Sequence, residues 1–471
     1  MRLRLRPYSD YKESGTPWFG LIPSHWESVR LGSLLQERGE TNEDGQVKQV
    51  LSVLRDIGVI PYEEKGNIGN KRSEDIGRYK LVRHGDIVIN CMNVIIGSVG
   101  LSRYTGCLSP VYYVLKTRSN NDNSQYFEKV FKVKPFQLSL VRLGNGILAH
   151  RMRIPMELLK CELVPKPPSE EQAIIVRFID VYDLRVNSLI RNKQRLIKLL
   201  NEQKQAIIHR TVTRGLDPNV RLKPSGVDWL GDVPEHWDVW QIGHFAKVGN
   251  GSTPSRSNSS YWTTDGFPWL NSASVNQRLI IDSNQFVTSL ALKECHLPRV
   301  APGSILVAIT GQGKTRGTSA VLGIEATINQ HIAYITPKKK IVSPAYLQLA
   351  LVGAYNQLRT ISDDSGSTKG ALTCEDLKHF KVGLPPFEEQ RQIVLAINSE
   401  TYGVDAILNR AQREIELLRE YQTRLVADVV TGKLDVRGVE LSATGAEETE
   451  AFDEDDNIEA PEDANAIEEL A

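Results

Sequence analysis

Ala308-Ile-Thr-Gly-Gln-Gly-Lys-Thr315 is the segment of this 471-residue chain whose residue types and spacing come nearest to a known chemistry. A Gly-rich turn ending in Lys-Thr after a strand suits a phosphate cradle, with the Lys on the phosphates and the hydroxyl on magnesium. In this chain Ala stands at the first Gly position, and RGTSAVLG after Lys314 reads as turn and strand rather than helix. No apolar run ending in a magnesium-binding Asp is evident. A P-loop-like nucleotide-binding enzyme is therefore the alternative reading. The favoured one is a turn that brings Lys314 and Arg316 to a nucleic-acid backbone.

Other residues that could do chemistry are less suggestive. His25 and His236 stand in equivalent I/V-P-x-H-W motifs with no Ser, Cys or carboxylate constellation evident that repeats with them, so they read as structural caps. His84 and His331 read as isolated. The five cysteines are far apart with no C-x-x-C pair, which argues against a zinc site and a disulfide framework. No catalytic residue and no metal site is assigned. Nucleic-acid chemistry fits better. Gly249-Asn-Gly-Ser-Thr-Pro-Ser-Arg-Ser-Asn258, followed by Tyr261-Trp262 and Pro268-Trp269-Leu270, offers small polar residues, one Arg and aromatics for phosphate and base-edge contacts. The candidate DNA-binding residues are Thr253, Ser255, Arg256, Asn258, Lys314, Arg316 and Lys369, with Lys71, Arg72, Arg103 and Arg142 as weaker candidates from the first half of the chain.

These residues sit in a duplicated frame. Residues 13–37 match 224–248, with Trp18/Trp229, Gly20/Gly231, Pro23/Pro234, His25/His236 and Trp26/Trp237 in register. Residues 164–179 match 382–397, and the match continues to Leu216-Asp217/Leu434-Asp435. Similarity is concentrated at the edges and in the last quarter of each copy. The middles differ, as expected of one scaffold that carries two readers with different preferences.

The last quarter of each copy predicts a long helix. From Ile175 an alternating four-three step runs through Ile179, Tyr182, Val186, Leu189, Lys193, Leu196, Leu200, Gln203 and Ile207, mostly apolar. In the second copy it runs through Ile393, Ile397, Glu400, Val404, Ile407, Ala411, Glu414, Leu418, Tyr421 and Leu425. The simplest partner for each seam is the other helix, as a coiled coil. Ser169 with Gln172 reads as a capping box after Pro167-Pro168, Phe387 replaces that Ser in the second copy, and Gly215 and Gly432 read as helix stops. The middles predict short strands, such as 84–90, 107–117, 302–310 and 327–337, in α/β domains.

Composition names the partner. The 57 Lys and Arg equal the 57 Asp and Glu, yet residues 438–471 hold thirteen acids and no Lys or Arg. Residues 1–437 therefore carry a formal charge of +13, which favours a polyanion. Residues 185–214 add eight basic residues and one acid, against four basic and five acidic residues in 403–432. The acidic tail is expected to be disordered and solubilising. The N-terminus shows no signal-peptide pattern and no segment is apolar enough to span a bilayer, so a cytoplasmic protein is expected.

Two variable domains, each opened by G-x-I/V-P-x-H-W and closed by P-P-x-E-E-Q with a long helix, resemble the specificity subunits of type I restriction-modification enzymes. GSTPSR with YW and PWL, then GSILVAITGQGKT and ATINQHIAYI, are similar to a target-recognition domain of that family. The resemblance implies an α/β fold with two target-recognition domains of mixed α/β structure, joined by two long helices paired as an antiparallel coiled coil. The boundaries are 1–166 and 223–384 for the recognition domains, 167–222 and 385–437 for helical spacers, and 438–471 for the tail. It further implies a non-catalytic subunit that reads a bipartite site in double-stranded DNA and positions methyltransferase subunits, two in number, and restriction subunits, with S-adenosylmethionine, ATP and Mg in those partners. A coiled-coil scaffold protein is the remaining alternative, and it leaves the +13 body unexplained.

Overall fold

The computed structural model describes residues 5–55, 57–66, 72–73, 75–144, 153–311, 314–338, 340–363 and 370–440. The chain divides into two compact units, one of Met1–Asn192 with Glu414–Ala471 and one of Lys193–Arg413. Two long helices, Ser169–Arg214 and Phe387–Val430, each give one half to each unit. No helix among the described residues is long and apolar enough to cross a membrane.

The duplication is visible strand by strand. In unit 1 a sheet orders strands 35–37, 112–117, 87–90 and 99–101. In unit 2 the same order appears as 246–250, 332–337, 305–308 and 319–322, extended by a parallel strand at 279–280. The central strands are apolar on both faces: Ile87 and Ile89 join one core of unit 1 and Val88 another, while Ile305 and Val307 join one core of unit 2 and Leu306 and Ala308 another. Edge pairs repeat as well. Residues 27–30 pair with 163–166, and 238–241 pair with 381–384, both antiparallel. The additions differ: unit 1 carries a hairpin of strands 51–54 and 58–61, whereas unit 2 carries a second four-stranded sheet of strands 262–263, 286–287, 267–270 and 327–328.

The repeated motifs turn out to be one lock made twice. Trp26 and Trp237 are wholly buried, each costing roughly 3–5 kcal/mol to truncate to alanine. The neighbouring histidines reach the second Glu of P-P-x-E-E-Q: His25 Nε2 lies 2.8 Å from Glu171 Oε2, and His236 Nε2 lies 2.8 Å from Glu389 Oε2. A carboxylate does repeat with these histidines, about 150 residues along the chain, which corrects their reading as unpartnered caps. The Gln of the motif is buried in both copies. Gln172 accepts from the Asn123 N–H (2.8 Å) and donates to the Pro167 carbonyl (2.9 Å); Gln390 accepts from the Ser343 N–H (2.8 Å) and donates to the Pro385 carbonyl (2.9 Å). Gln172 is thus engaged away from a capping box with Ser169. Phe387 in place of Ser169 consequently leaves the lock intact.

The copies differ at one atom of the lock. In unit 2 Trp237 Nε1 donates to Glu389 Oε1 at 3.0 Å. In unit 1 the Tyr8 hydroxyl donates to Glu171 Oε1 at 2.6 Å, and Trp26 Nε1 finds no partner among the described residues. Burial, together with the adjacent carboxylate, pushes the Tyr8 hydroxyl far above its usual range.

The long helices pair antiparallel within each unit. In unit 1 Ile175 and Phe178 share a core with Leu425 and Val429, and Gln422 Nε2 donates to Asp183 Oδ1 at 2.8 Å. In unit 2 Lys204 pairs with Asp405 and Arg210 Nη2 lies 3.3 Å from Glu400. The heptad reading holds at the helix ends and drifts toward the middle. Leu189, Leu196 and Ile407 are exposed by 50%, 41% and 48%, and Ile190, Thr401 and Ile415 are buried instead. Seven residues of a straight α-helix fall about 20° short of two full turns, so without long supercoiling the buried stripe slides off the a and d positions to the residue that follows.

The helices stop at Arg214 and Val430, just before the predicted glycines. Both glycines have positive φ, and a Cβ on Gly432 (φ 77°) would lie 2.4 Å from Pro23 Cδ. Gly432→Ala should therefore cost more than the roughly 1–2 kcal/mol of left-handed backbone alone. Gly226→Ala, with positive φ and nothing within 4 Å, should cost only that amount. Thermal unfolding of the two variants checks the order; equal losses would show that the end of the second long helix is not pressed on the Pro23 motif.

Candidate nucleic-acid interface

The loops at one edge of the unit 2 sheet carry the polar side chains that the sequence singled out, and close packing holds them there. Gly251 is obligatory: a Cβ on it would fall 1.8 Å from the Ile328 carbonyl oxygen. This contact seats the 251–255 loop on the 327–328 strand. Two buried or half-buried indoles then fix its backbone, Trp269 Nε1 donating to the Ser252 carbonyl (3.3 Å) and Trp262 Nε1 to that of Ser255 (3.1 Å). The Arg256 guanidinium lies 3.7 Å from the Trp262 ring centroid and donates to Gln285 Oε1 at 2.7 Å. It is a planar cation with its face on an aromatic surface and its side chain exposed to solvent.

Four side chains from three loops form a continuous chain of hydrogen bonds. Thr253 Oγ1 donates to Gln330 Oε1 (2.6 Å), Gln330 Nε2 lies 3.2 Å from His331 Nε2, and His331 Nδ1 lies 2.7 Å from Thr310 Oγ1. The turn that presents Gln330 and His331 is fixed by Asn329, whose side chain accepts from the His331 N–H at 3.0 Å. Gln330 and His331 are exposed and Asn329 is buried. The reading of His331 as isolated is corrected by these contacts.

Placement of the other candidates separates surface from scaffold. Ser255 bonds Ser257, and Asn258 caps the 259–261 turn through the Ser260 N–H, so both shape the loop. Lys314 is exposed, and its carbonyl accepts from the Tyr355 hydroxyl at 2.9 Å. Arg316 does not meet the expectation of a phosphate contact. It is 5% exposed, donates to the Gly370 carbonyl at 2.8 Å and pairs with Asp363, so its charge is spent on bracing the loop from within. The P-loop alternative fails on connectivity: strand 305–308 returns as the antiparallel strand 319–322, with Val307 opposite Ser319 and no helix opening at Lys314.

Unit 1 presents a different surface. Arg142 Nη2 donates to both carboxylate oxygens of Glu162 (2.9 and 2.7 Å), Arg72 lies 3.8 Å from Glu63, and Arg103 is exposed. Among the described residues, no hydrogen bond joins these three. Lys71 and Lys369 lie outside the described residues. In the frame position where unit 2 has Gln330-His331, before strand 332–337, unit 1 has Pro110-Val111, before strand 112–117, with Val111 exposed. Gln330, His331 and Thr310 were missed as site residues. The signal that could have found them is this mismatch between TINQH and CLSPV inside otherwise corresponding strands.

Comparison with known proteins gives a consistent result. Residues 234–417 match the family described as type I restriction modification DNA specificity domain. The chain is 24% identical over 434 residues to the putative type I restriction enzyme MjaX specificity subunit of Methanocaldococcus jannaschii, covering 89% of this chain and 96% of that protein. It is 30% identical over 200 residues to the MjaIX specificity subunit of the same organism, covering 42% of this chain and 44% of that protein. A chain in a solved structure of a type I R-M system is 17% identical with a TM-score of 0.64, covering 88% of this chain and 99% of that one, a likeness of fold.

The contrast between Lys314 and Arg316 gives a direct check. Arg316→Ala should lower the thermal midpoint through a stability loss of about 1.5–3 kcal/mol, the range for hydrogen bonds to a charged group. Lys314→Ala should leave the midpoint unchanged and weaken DNA binding on all sequences, with the salt slope reduced by about one. Measured together by thermal unfolding and salt-titrated binding, a stable Arg316→Ala variant would contradict the bracing role.

Proposed function

We propose, from the premise that this chain belongs to the specificity subunits of type I restriction-modification systems, that each unit reads one half of a split site in double-stranded DNA. The observation that carries this reading is the pair of unlike loop surfaces set on one repeated strand order, Gln330-His331 against Pro110-Val111. A protein that recognised one continuous site or a repeated half-site would have no use for unlike surfaces on a duplicated frame. Chemistry supports the ligand. Residues 1–437 carry a net +13, and salt-dependent release of counterions from DNA converts such charge into affinity.

The chain supplies recognition, and the bond-making chemistry belongs to its partners. Methyltransferase subunits, two to match the duplicated locks and helix ends, and restriction subunits would assemble on it. S-adenosylmethionine, ATP and Mg would be theirs to bind. Such an assembly works on cytoplasmic DNA. A purely structural coiled-coil scaffold accounts for the helices alone, and leaves both the stacked Arg256 and the basic charge without a role.

The long helices set the spacing of the two half-sites in this reading. Since they run antiparallel, lengthening one alone would shift its partner out of register. Four residues added to both, at 196–200 and at the facing 407–411, would extend the pair by about 6 Å at 1.5 Å per residue. Against a rise of about 3.4 Å per base pair, the gap should widen by one or two base pairs with both half-sites unchanged. Methylation mapping by the assembled complex on targets of graded spacing checks this. An active variant that keeps the original spacing would show that the helices are not the ruler.

A further inference from the structure

Proton positions in the Thr253–Gln330–His331–Thr310 chain follow from the chemistry of its members. Gln330 Oε1 accepts only, so the Thr253 hydroxyl donates to it. Gln330 Nε2 donates only, so His331 Nε2 accepts, which assigns the neutral imidazole with its proton on Nδ1. His331 Nδ1–H then donates to Thr310 Oγ1, and the Thr310 hydroxyl hydrogen points elsewhere. Within this set of four side chains, two donors have no partner among the described residues: the second N–H of Gln330 and the O–H of Thr310. Both are anchored by a network that spans three loops and by strands 305–308, 327–328 and 332–337, so they are presented in fixed positions at little further entropic cost.

We propose that this hydrogen-bonded chain is the base-reading element of unit 2, with Gln330 as the residue that determines its specificity and its free N–H aimed at an acceptor on a base-pair edge. The inference rests on the split-site reading and adds the chemistry of one half of it. Donors fit the acceptors that purines and thymine show in the major groove, namely N7 and O6 of guanine, N7 of adenine and O4 of thymine. Arg256, stacked on Trp262 beside this loop, supplies a cation at the rim, and Thr253 occupies the amide oxygen, which leaves the second N–H of the amide nitrogen as the group able to donate to a ligand. The frame-equivalent Pro110-Val111 of unit 1 has no such donors, so the two half-sites are read by different means.

The test selects from a randomised double-stranded DNA library with the full-length chain bound to its methyltransferase subunits, and sequences the bound pool. Wild type should enrich two separated blocks of defined sequence. Gln330→Ala should lower the preference at one or two positions of a single block, by roughly 5- to 100-fold, and leave the other block intact. Gln330→Glu keeps the shape and the Thr253 bond while replacing the donor with an acceptor. It should move the preference at the same positions toward bases that present an amino group, cytosine N4 or adenine N6. Two blocks in wild type with both kept unaltered by both variants would overturn the inference and leave the split-site reading standing. A uniform loss across both blocks in both variants would overturn it as well. Failure of wild type to enrich two blocks would remove the split-site reading and this inference together.

Discussion

The constraint on which the rest of the structure depends is the second carboxylate of each P-P-x-E-E-Q motif. Glu171 and Glu389 stand in the first turn of the two long helices and hold His25 and His236 from the opening motif of the same copy. A charge-assisted or neutral hydrogen bond of this kind is worth little on its own, about 1–3 kcal/mol. Its weight comes from place: it fastens residues 146 and 153 positions apart at the point where a variable domain meets a helix. Buried Trp26 and Trp237 fill the space behind it, and buried Gln172 and Gln390 tie the helix start to the loops at Asn123 and Ser343. Polar groups in such a site are costly to leave unmatched, so substitutions of Glu171, Glu389, Gln172 or Gln390 should cost more than substitutions on the exposed loops of the domain middles.

The same logic explains how one chain carries two readers. The frame asks only for four strands in a common order and an edge pair that closes onto the lock. Between those strands, unit 1 inserts a hairpin and unit 2 inserts a second sheet, and neither addition disturbs the repeated contacts. The loops at the strand ends then take their chemistry from a few residues. In unit 2 these are held by glycine packing, indole N–H groups and a hydrogen-bonded chain of side chains, all of which fix geometry before a ligand arrives.

Much of this was legible in the sequence, and the unread parts share a cause. The duplicated motifs and the long apolar periodicities are local patterns, and they locate both helices and their glycine stops. The role of Glu171 and Glu389 was hidden because the histidine they hold is about 150 residues away, and spacing along the chain does not reveal such a contact. The heptad seam misplaced Leu189, Leu196 and Ile407 because a strict seven-residue step falls short of two turns of a 3.6-residue helix. Arg316 was read as a surface charge because composition does not distinguish a guanidinium facing solvent from one turned inward to Gly370 and Asp363. His331 and Gln330 looked ordinary for the converse reason, since Thr253, Thr310 and the 329–331 turn come together only in three dimensions.

The central claim is that a constant frame carries two independent readers, and exchanging one reader tests it most directly. The stretch between Gln241 and Lys381 would be replaced by its counterpart from a related specificity subunit, leaving strands 238–241 and 381–384 and the His236–Glu389 lock untouched. Methylated positions would then be mapped for the assembled complex. The account predicts that one half-site takes the relative's sequence, while the other half-site and the spacing stay as they were. A change in both half-sites would contradict it.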